Sequence, residues 1–198
     1  MDETSKSIFH RLKDNRYVTR YFVGEGIDIG AGADSIGQYQ EFFPLMKSCR
    51  AWDIDDGDAQ FMPGVPDASY DFINSSHCLE HLNDPSIAID NWLRVLKPGG
   101  HLICIVPDED LYEQGIFPST YNPDHKYTFT IYKKNTWSSK SLNILDLLSN
   151  TNYAIDIKKI ELLDATYKFS MSPPLADRFD QTTTAIGESA IEFIFQKK

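Results

Sequence analysis

Apolar positions along this chain fall into short continuous runs and one clear helical stripe. Thr4 to Arg16 reads as a short amphipathic helix with Ile8 and Leu12 on one side. Phe22 to Gly30 contains a short apolar strand ended by glycines. Arg50 to Asp53 is a second, very short strand, and Tyr70 to Ser75 a third. Asp84 is a good N-cap and Pro85 a good first helical residue. The helix they open, Pro85 to Leu96, sets Ile87, Ile89, Trp92, Leu93 and Leu96 on one broad face, and Lys97-Pro98-Gly99-Gly100 stops it. His101 to Val106 reads as a buried strand, continuously apolar from Leu102 on, as parallel strands are. Strands alternating with helices predict an α/β sheet.

The pattern breaks after Pro107. Asp108 to Lys134 is polar, aromatic and proline-bearing, with no helical period, and long irregular segments in compact domains are usually functional. Ser141 to Leu148 reads as a short helix. Ile155 to Leu163 and Ile191 to Gln196 read as closing strands, with a polar loop over Met171 to Gly187 between them. The whole of 1–198 is expected to be one domain, with 108–134 an irregular lid at an acceptor site.

Composition narrows the partners. The net charge is −10 and the pI about 4.8, with only isolated lysine pairs. Nucleic acid is therefore not expected as a partner, and a small or neutral substrate fits better. No apolar run approaches the roughly 18 residues that span a bilayer, so no membrane insertion is expected. The polar start Met1-Asp2-Glu3-Thr4-Ser5-Lys6 does not read as a secretory signal. Cys49, Cys78 and Cys104 form no CxxC pair, which points to a reducing, cytoplasmic setting. The sequence gives no oligomeric state.

The candidate chemistry begins at Gly26-Ile27-Asp28-Ile29-Gly30-Ala31-Gly32. A strand that ends in Gly-x-Gly before a helix brings bare backbone, here Gly30 and Gly32, close to a ligand. Asp28 sits in the strand end, where a carboxylate needs a partner. The ammonium and sulfonium of a methionine-like head group would supply one. Asp53 ends the next strand, placed to accept bonds from both hydroxyls of a ribose. The dinucleotide fingerprint is incomplete, since its third glycine position is Ser35. A pyrophosphate also gains nothing from Asp28. A sulfonium cofactor without phosphates fits better.

From Gly24 to Pro107 the chain resembles class I S-adenosylmethionine-dependent methyltransferases of the type 11 kind. The matching pieces are the glycine turn, Trp52-Asp53, Gly57-Asp58-Ala59-Gln60, Tyr70 to Leu82, and Arg94-Val95-Leu96-Lys97-Pro98-Gly99-Gly100. The resemblance implies S-adenosyl-L-methionine as cofactor and a doubly wound, mostly parallel Rossmann-like sheet with an antiparallel last strand. It implies that Asp58 meets the adenine amine and the Ala59 backbone the ring. It also implies that Ser75 to His77 flank the methionine part. Only Ile54 to Gly57 stand between Asp53 and Asp58, too short for the family's helix and third strand. A smaller sheet of about six strands is expected. Beyond Pro107, the stretches Pro107–Gly115, Asn122–Thr130 and Asp180–Thr182 are similar to methyltransferases of surface-polysaccharide and sugar modification, which implies a sugar or other small-molecule acceptor.

Methyl transfer to a hydroxyl needs alignment and a base. The candidates just past Val106 are Asp108, Glu109, Asp110 and His125. His125 suits neutral pH, and Asp108 could orient it. A competing pattern, His77-Cys78-Leu79-Glu80-His81, matches the His-x-x-Glu-His of zinc hydrolases. It follows directly on a strand, which takes His77 out of a helix, and no metal ligands are assigned. A non-catalytic cofactor-binding scaffold is the further alternative.

Overall fold

The computed structural model describes residues 3–198. The first two residues of the polar stretch Met1–Lys6 lie outside them. The elements are α1 (Glu3–Arg11), β1 (Gly24–Ile29), β2 (Met46–Trp52), β3 (Tyr70–Ser76), α2 (Pro85–Val95), β4 (Leu96–Pro107), β5 (Thr128–Thr130), β6 (Ser141–Asn143), α3 (Ile144–Ser149), β7 (Ile155–Leu163) and β8 (Ala190–Lys197). Six strands form the main sheet in the order β2-β1-β3-β4-β8-β7, and β5 pairs with β6 apart from it. β1 to β4 run parallel, and β8 is antiparallel to both of its neighbours. The chain winds outward from β1 to β2, then returns to β3 on the other side of β1. Ligands bind beside the carboxyl ends of strands where the winding reverses.

Successive residues of the parallel strands feed two cores on opposite faces. Ile27, Ile73 and Leu102 join Trp92 and Leu93 of α2 and Leu147 of α3 on one face. Phe72, Ile103 and Ile194 join Ile8, Tyr17, Phe22 and Phe43 on the other. No third strand follows β2. The loop 53–69 runs straight into β3, and its Met62 and Val65 fill the core beside Ile73 and Trp92. The six-stranded sheet expected from the short Asp53–Asp58 spacing is the one observed.

Several local expectations change. The first helix stops at Arg11, and Leu12 is exposed while Ile8 is buried. α1 is held instead by polar anchors. Buried Glu192 on β8 accepts from Arg11 Nε at 3.1 Å and from the Tyr17 hydroxyl, and pairs with Lys159 Nζ at 3.1 Å. Burial works against the Glu192 charge, but Arg11, His10 and Lys159 hold its carboxyl well below the usual range. The glycine turn leads into a 3-10 turn over Ile36–Phe42, not an α-helix. The N–H groups of Ile36 and Gly37 are taken by the Asp28 carboxylate and Ser35 hydroxyl, which keep the segment tight. β2 is longer than Arg50–Asp53. As an edge strand it buries Met46 and Trp52 while leaving polar residues outward. Ile87, expected on the buried face of α2, is exposed. Ser141–Asn143 is strand and not helix, because β5 takes its backbone groups and the helix starts at Ile144. The Asp84 cap holds as expected, accepting from Ser86 N and Ile87 N.

Candidate active site

The carboxyl ends of β1, β2 and β3 open onto three adjoining cavities. The largest, about 610 Å³, is lined by Gly30, Gly32, Asp53, Asp58, Ala59, His77, Cys78, His81 and Lys126, among others. A second, about 240 Å³, runs over the glycine turn beneath Glu3 and Thr4 of α1 and reaches Ser76. A third, about 150 Å³, lies between Glu80, His81, Tyr112, Asn122, His125 and Thr182. His77 borders all three.

The first two glycines of the motif have different reasons to be glycine. At Gly26 an added Cβ would run into the Phe72 ring, so this glycine serves strand packing. Gly30 has φ +74°, and its Cβ would meet the Cys78 side chain at 2.5 Å. Its backbone therefore turns at the cavity wall, closely packed against Cys78. Cys78 packs there as a small apolar group, its thiol pushed up to about 12 by burial.

Asp28 does not line the cleft. It is buried beneath the turn, accepting from Ile36 N and Asn74 Nδ2, both at 2.6 Å. The partner expected from a cationic ligand is thus supplied by the chain itself. Burial outweighs these bonds and raises its pKa to about 6. Ser75 is likewise internal, donating from Oγ to the Ile29 carbonyl at 3.1 Å. Asp53 and Asp58 line the same cavity. The Asp58 carboxylate caps the Gln60 N–H at 2.8 Å, and the Ala59 carbonyl accepts from Trp92 Nε1 at 2.8 Å. These bonds place the 58–60 turn on the cavity rim despite the missing strand.

The region beyond Pro107 buries Asp108, Glu109, Glu113 and His125 close together in sequence. Asp108 accepts from the N–H groups of Asp110 and Leu111, which closes a turn. Burial raises its pKa to about 6. It does not orient His125. That role falls to Glu113, whose Oε1 lies 2.8 Å from His125 Nδ1. Glu109 and Asp110 are both engaged by Lys133 Nζ, each at 2.5 Å. Of the four base candidates, His125 alone faces the third cavity. The Tyr112 ring packs against it at 5.3 Å, and Tyr121 packs on Tyr112 at 5.8 Å. Arg178 locks this segment from the distant polar loop, donating to the Glu113 and Gln114 carbonyls.

Glu80 and His81 join His125 without having been assigned a role from sequence. Glu80 is fully buried, and its Oε1 lies 3.2 Å from His77 Nδ1. Burial pushes the Glu80 carboxyl up, but the His77 bond and the surrounding histidines bring it below its ordinary value. Burial disfavours the charged form of His77, yet Glu80 and Glu3 raise its pKa. The zinc-hydrolase arrangement is not formed. His77 has φ +53° in the loop after β3, and only Leu79–His81 form a 3-10 turn. The signal that could have found Glu113 was a carboxylate spaced within the lid segment, but only the fold selects it over its acidic neighbours.

Residues 26–104 match the family model described as a methyltransferase domain. A 59-residue stretch is 37% identical to an uncharacterized methyltransferase of Schizosaccharomyces pombe, covering 30% of this chain and 20% of that protein. Another, of 48 residues, is 44% identical to a ubiquinone/menaquinone biosynthesis C-methyltransferase of Saccharophagus degradans, covering 24% and 19%. The match thus spans about a fifth of either relative's length. Among solved structures, a SAM-dependent methyltransferase from Archaeoglobus fulgidus is similar with TM-score 0.57 and 15% identity, covering 98% of this chain and 94% of that one. The matched segment is thus similar to a methyltransferase domain, and the fold is that of S-adenosylmethionine-dependent methyltransferases. S-adenosylmethionine is the cofactor that domain and fold imply.

Proposed function

We propose that the chain transfers a methyl group from S-adenosylmethionine to a hydroxyl of a small or glycan-type acceptor. The carrying observation is the junction of two unlike cavities: a glycine-turned cleft lined by two acids, and a buried His125–Glu113 pair beside it. The lining fits the cofactor. Asp53 and Asp58 suit hydroxyls, an amine and a cation, whereas a pyrophosphate would meet their charge. The buried Ser76 hydroxyl has no hydrogen-bond partner among the described residues and borders the cavity over Gly30 to Gly32.

In this reading Gly30 and Gly32 admit the methionine part, His77 and Ser76 flank it, Asp53 takes the ribose, and Asp58 and Ala59 take the adenine. Asp28 and Ser75 hold the turn and strand ends from behind. The bound cofactor supplies a methyl carbon already activated by a sulfonium. His125 holds a proton on Nδ1 toward Glu113 and offers Nε2 to the acceptor's proton. Tyr112 and Tyr121, packed edge to face, give an aromatic wall for a sugar ring. The unpaired cysteines support a reducing setting such as the cytoplasm. Among the described residues no helix is long and apolar enough to cross a membrane.

The test is transfer of labelled methyl from S-adenosylmethionine into a panel of sugars and a cell extract, with S-adenosylhomocysteine binding followed by calorimetry. Label in hydroxyl-bearing products is expected. Binding heat without transfer would leave a non-catalytic cofactor-binding protein, and no heat at all would overturn the assignment.

A further inference from the structure

We propose that Glu80, His81 and His125 form a site for a divalent transition-metal ion at the acceptor end of the cleft. One donor atom from each lies within 4.8 Å of the others. Both histidines are already set in the metal-binding tautomer. His81 Nδ1 faces the Asp124 carbonyl at 3.2 Å, and His125 Nδ1 faces the Glu113 carboxylate at 2.8 Å. A carbonyl or carboxylate oxygen only accepts, so each Nδ1 carries the proton and each Nε2 is left with its lone pair. A carbonyl or carboxylate behind the imidazole is the outer support that metal-ligating histidines regularly have.

Glu80 supplies the charge. Its side chain is fully buried, and Oε2 has no hydrogen-bond partner among the described residues. An unmatched carboxylate oxygen in that setting is costly unless a cation meets it. The backbone keeps the three ligands together. The Glu80 carbonyl accepts from Lys126 N at 2.8 Å, which ties the His125 segment to the turn after β3. All three side chains line the 150 Å³ cavity, so further coordination positions would face its space. Metal–ligand bonds of about 2.0–2.2 Å require donors about 3–3.5 Å apart, so the side chains close inward on binding. Two imidazoles and one carboxylate favour zinc, manganese, iron or cobalt over calcium or magnesium.

The ion's role rests on the transfer reading given above. It holds the acceptor hydroxyl, the O–H bond breaks with the proton released to water, and the oxygen stays on the ion as the nucleophile. With the ion bound, His125 Nε2 is a ligand and this replaces its role as base in the metal-free reading, while Glu113 is the residue that positions it.

Chelator-treated protein would be titrated with Co²⁺ alone, reading the visible d–d absorption, and with Zn²⁺ by calorimetry. One ion per chain is expected. Glu80→Gln and His81→Ala should each weaken it by more than about 100-fold, and Glu113→Gln by about 10–100-fold. His81 is half-exposed and Glu80→Gln is isosteric, so both variants are expected to fold, which circular dichroism checks. Absence of a saturable cobalt band, or equal affinity in all three variants, overturns the site. S-adenosylhomocysteine binding without metal binding removes the metal proposal and leaves the transfer reading standing. Metal binding without S-adenosylhomocysteine binding does the reverse.

Discussion

The two ends of the cleft are built on opposite principles. The end proposed for the cofactor, from Gly26 to Ala59, is backbone shape: neighbouring parallel strands, a positive-φ glycine and two exposed acids on a rim. The end proposed for the acceptor is buried charge. Glu80, Glu109 and Glu113 are all fully buried, and each is engaged by a lysine or a histidine. Backbone shape tolerates changes that keep the turn and fails when the turn itself is filled. A buried carboxylate network fails when any one partner is lost, because the remaining charge is stranded. The first end reads as a docking surface, the second as the place where protons or cations are handled.

Substitutions can break or sharpen this contrast. The largest effect is expected at Gly30→Val, which combines a positive φ with a collision against Cys78. Calorimetry should show no detectable S-adenosylhomocysteine binding, with a lowered melting temperature. Wild-type affinity in this variant would place the cofactor elsewhere. Next comes His125→Ala, expected to lower turnover by about 10²–10⁴-fold while cofactor affinity stays within a few-fold. Steady-state kinetics with binding measured in parallel checks it, and unchanged turnover would remove His125 from the chemistry.

The smallest effect on binding is expected at Asp28→Asn, because Asp28 lies behind the turn. The new amide can accept from Ile36 N and donate to Asn74 Oδ1, which is itself without a partner among the described residues. S-adenosylhomocysteine affinity should stay within a few-fold, and a loss rivalling Gly30→Val would show that the carboxylate does meet the ligand. The stability effect has a defined sign. Burial raises the folded pKa of Asp28 from 3.8 to about 6, so the folded state binds the proton more tightly than the unfolded chain. Its contribution is fully present below about pH 4 and is lost as pH rises through 6, a change of roughly 3 kcal/mol. Denaturant titrations from pH 4 to 7.5 should show the variant losing less stability with rising pH than the wild type.

The sequence by itself determined most of the sheet and the place of the glycine turn in it. Apolar runs are local, the Asp84-Pro85 cap is local, and the glycine turn is a property of consecutive residues, so each could be read along the chain. Even the missing strand was legible, because four residues between Asp53 and Asp58 leave no room for it. Where the local rules misjudged, a distant partner had intervened: β5 drew Ser141–Asn143 out of a helix, and Asp28 held Ile36 in a tight turn. The acceptor end could not be read in that way. Asp108, Glu109, Asp110 and Glu113 are equivalent carboxylates in sequence. Only packing decides that one closes a turn, two take Lys133 and one turns His125 toward Glu80 and His81. Charge in the interior is paired by proximity in space, and 45 residues separate Glu80 from His125 along the chain, a separation that local pattern does not carry.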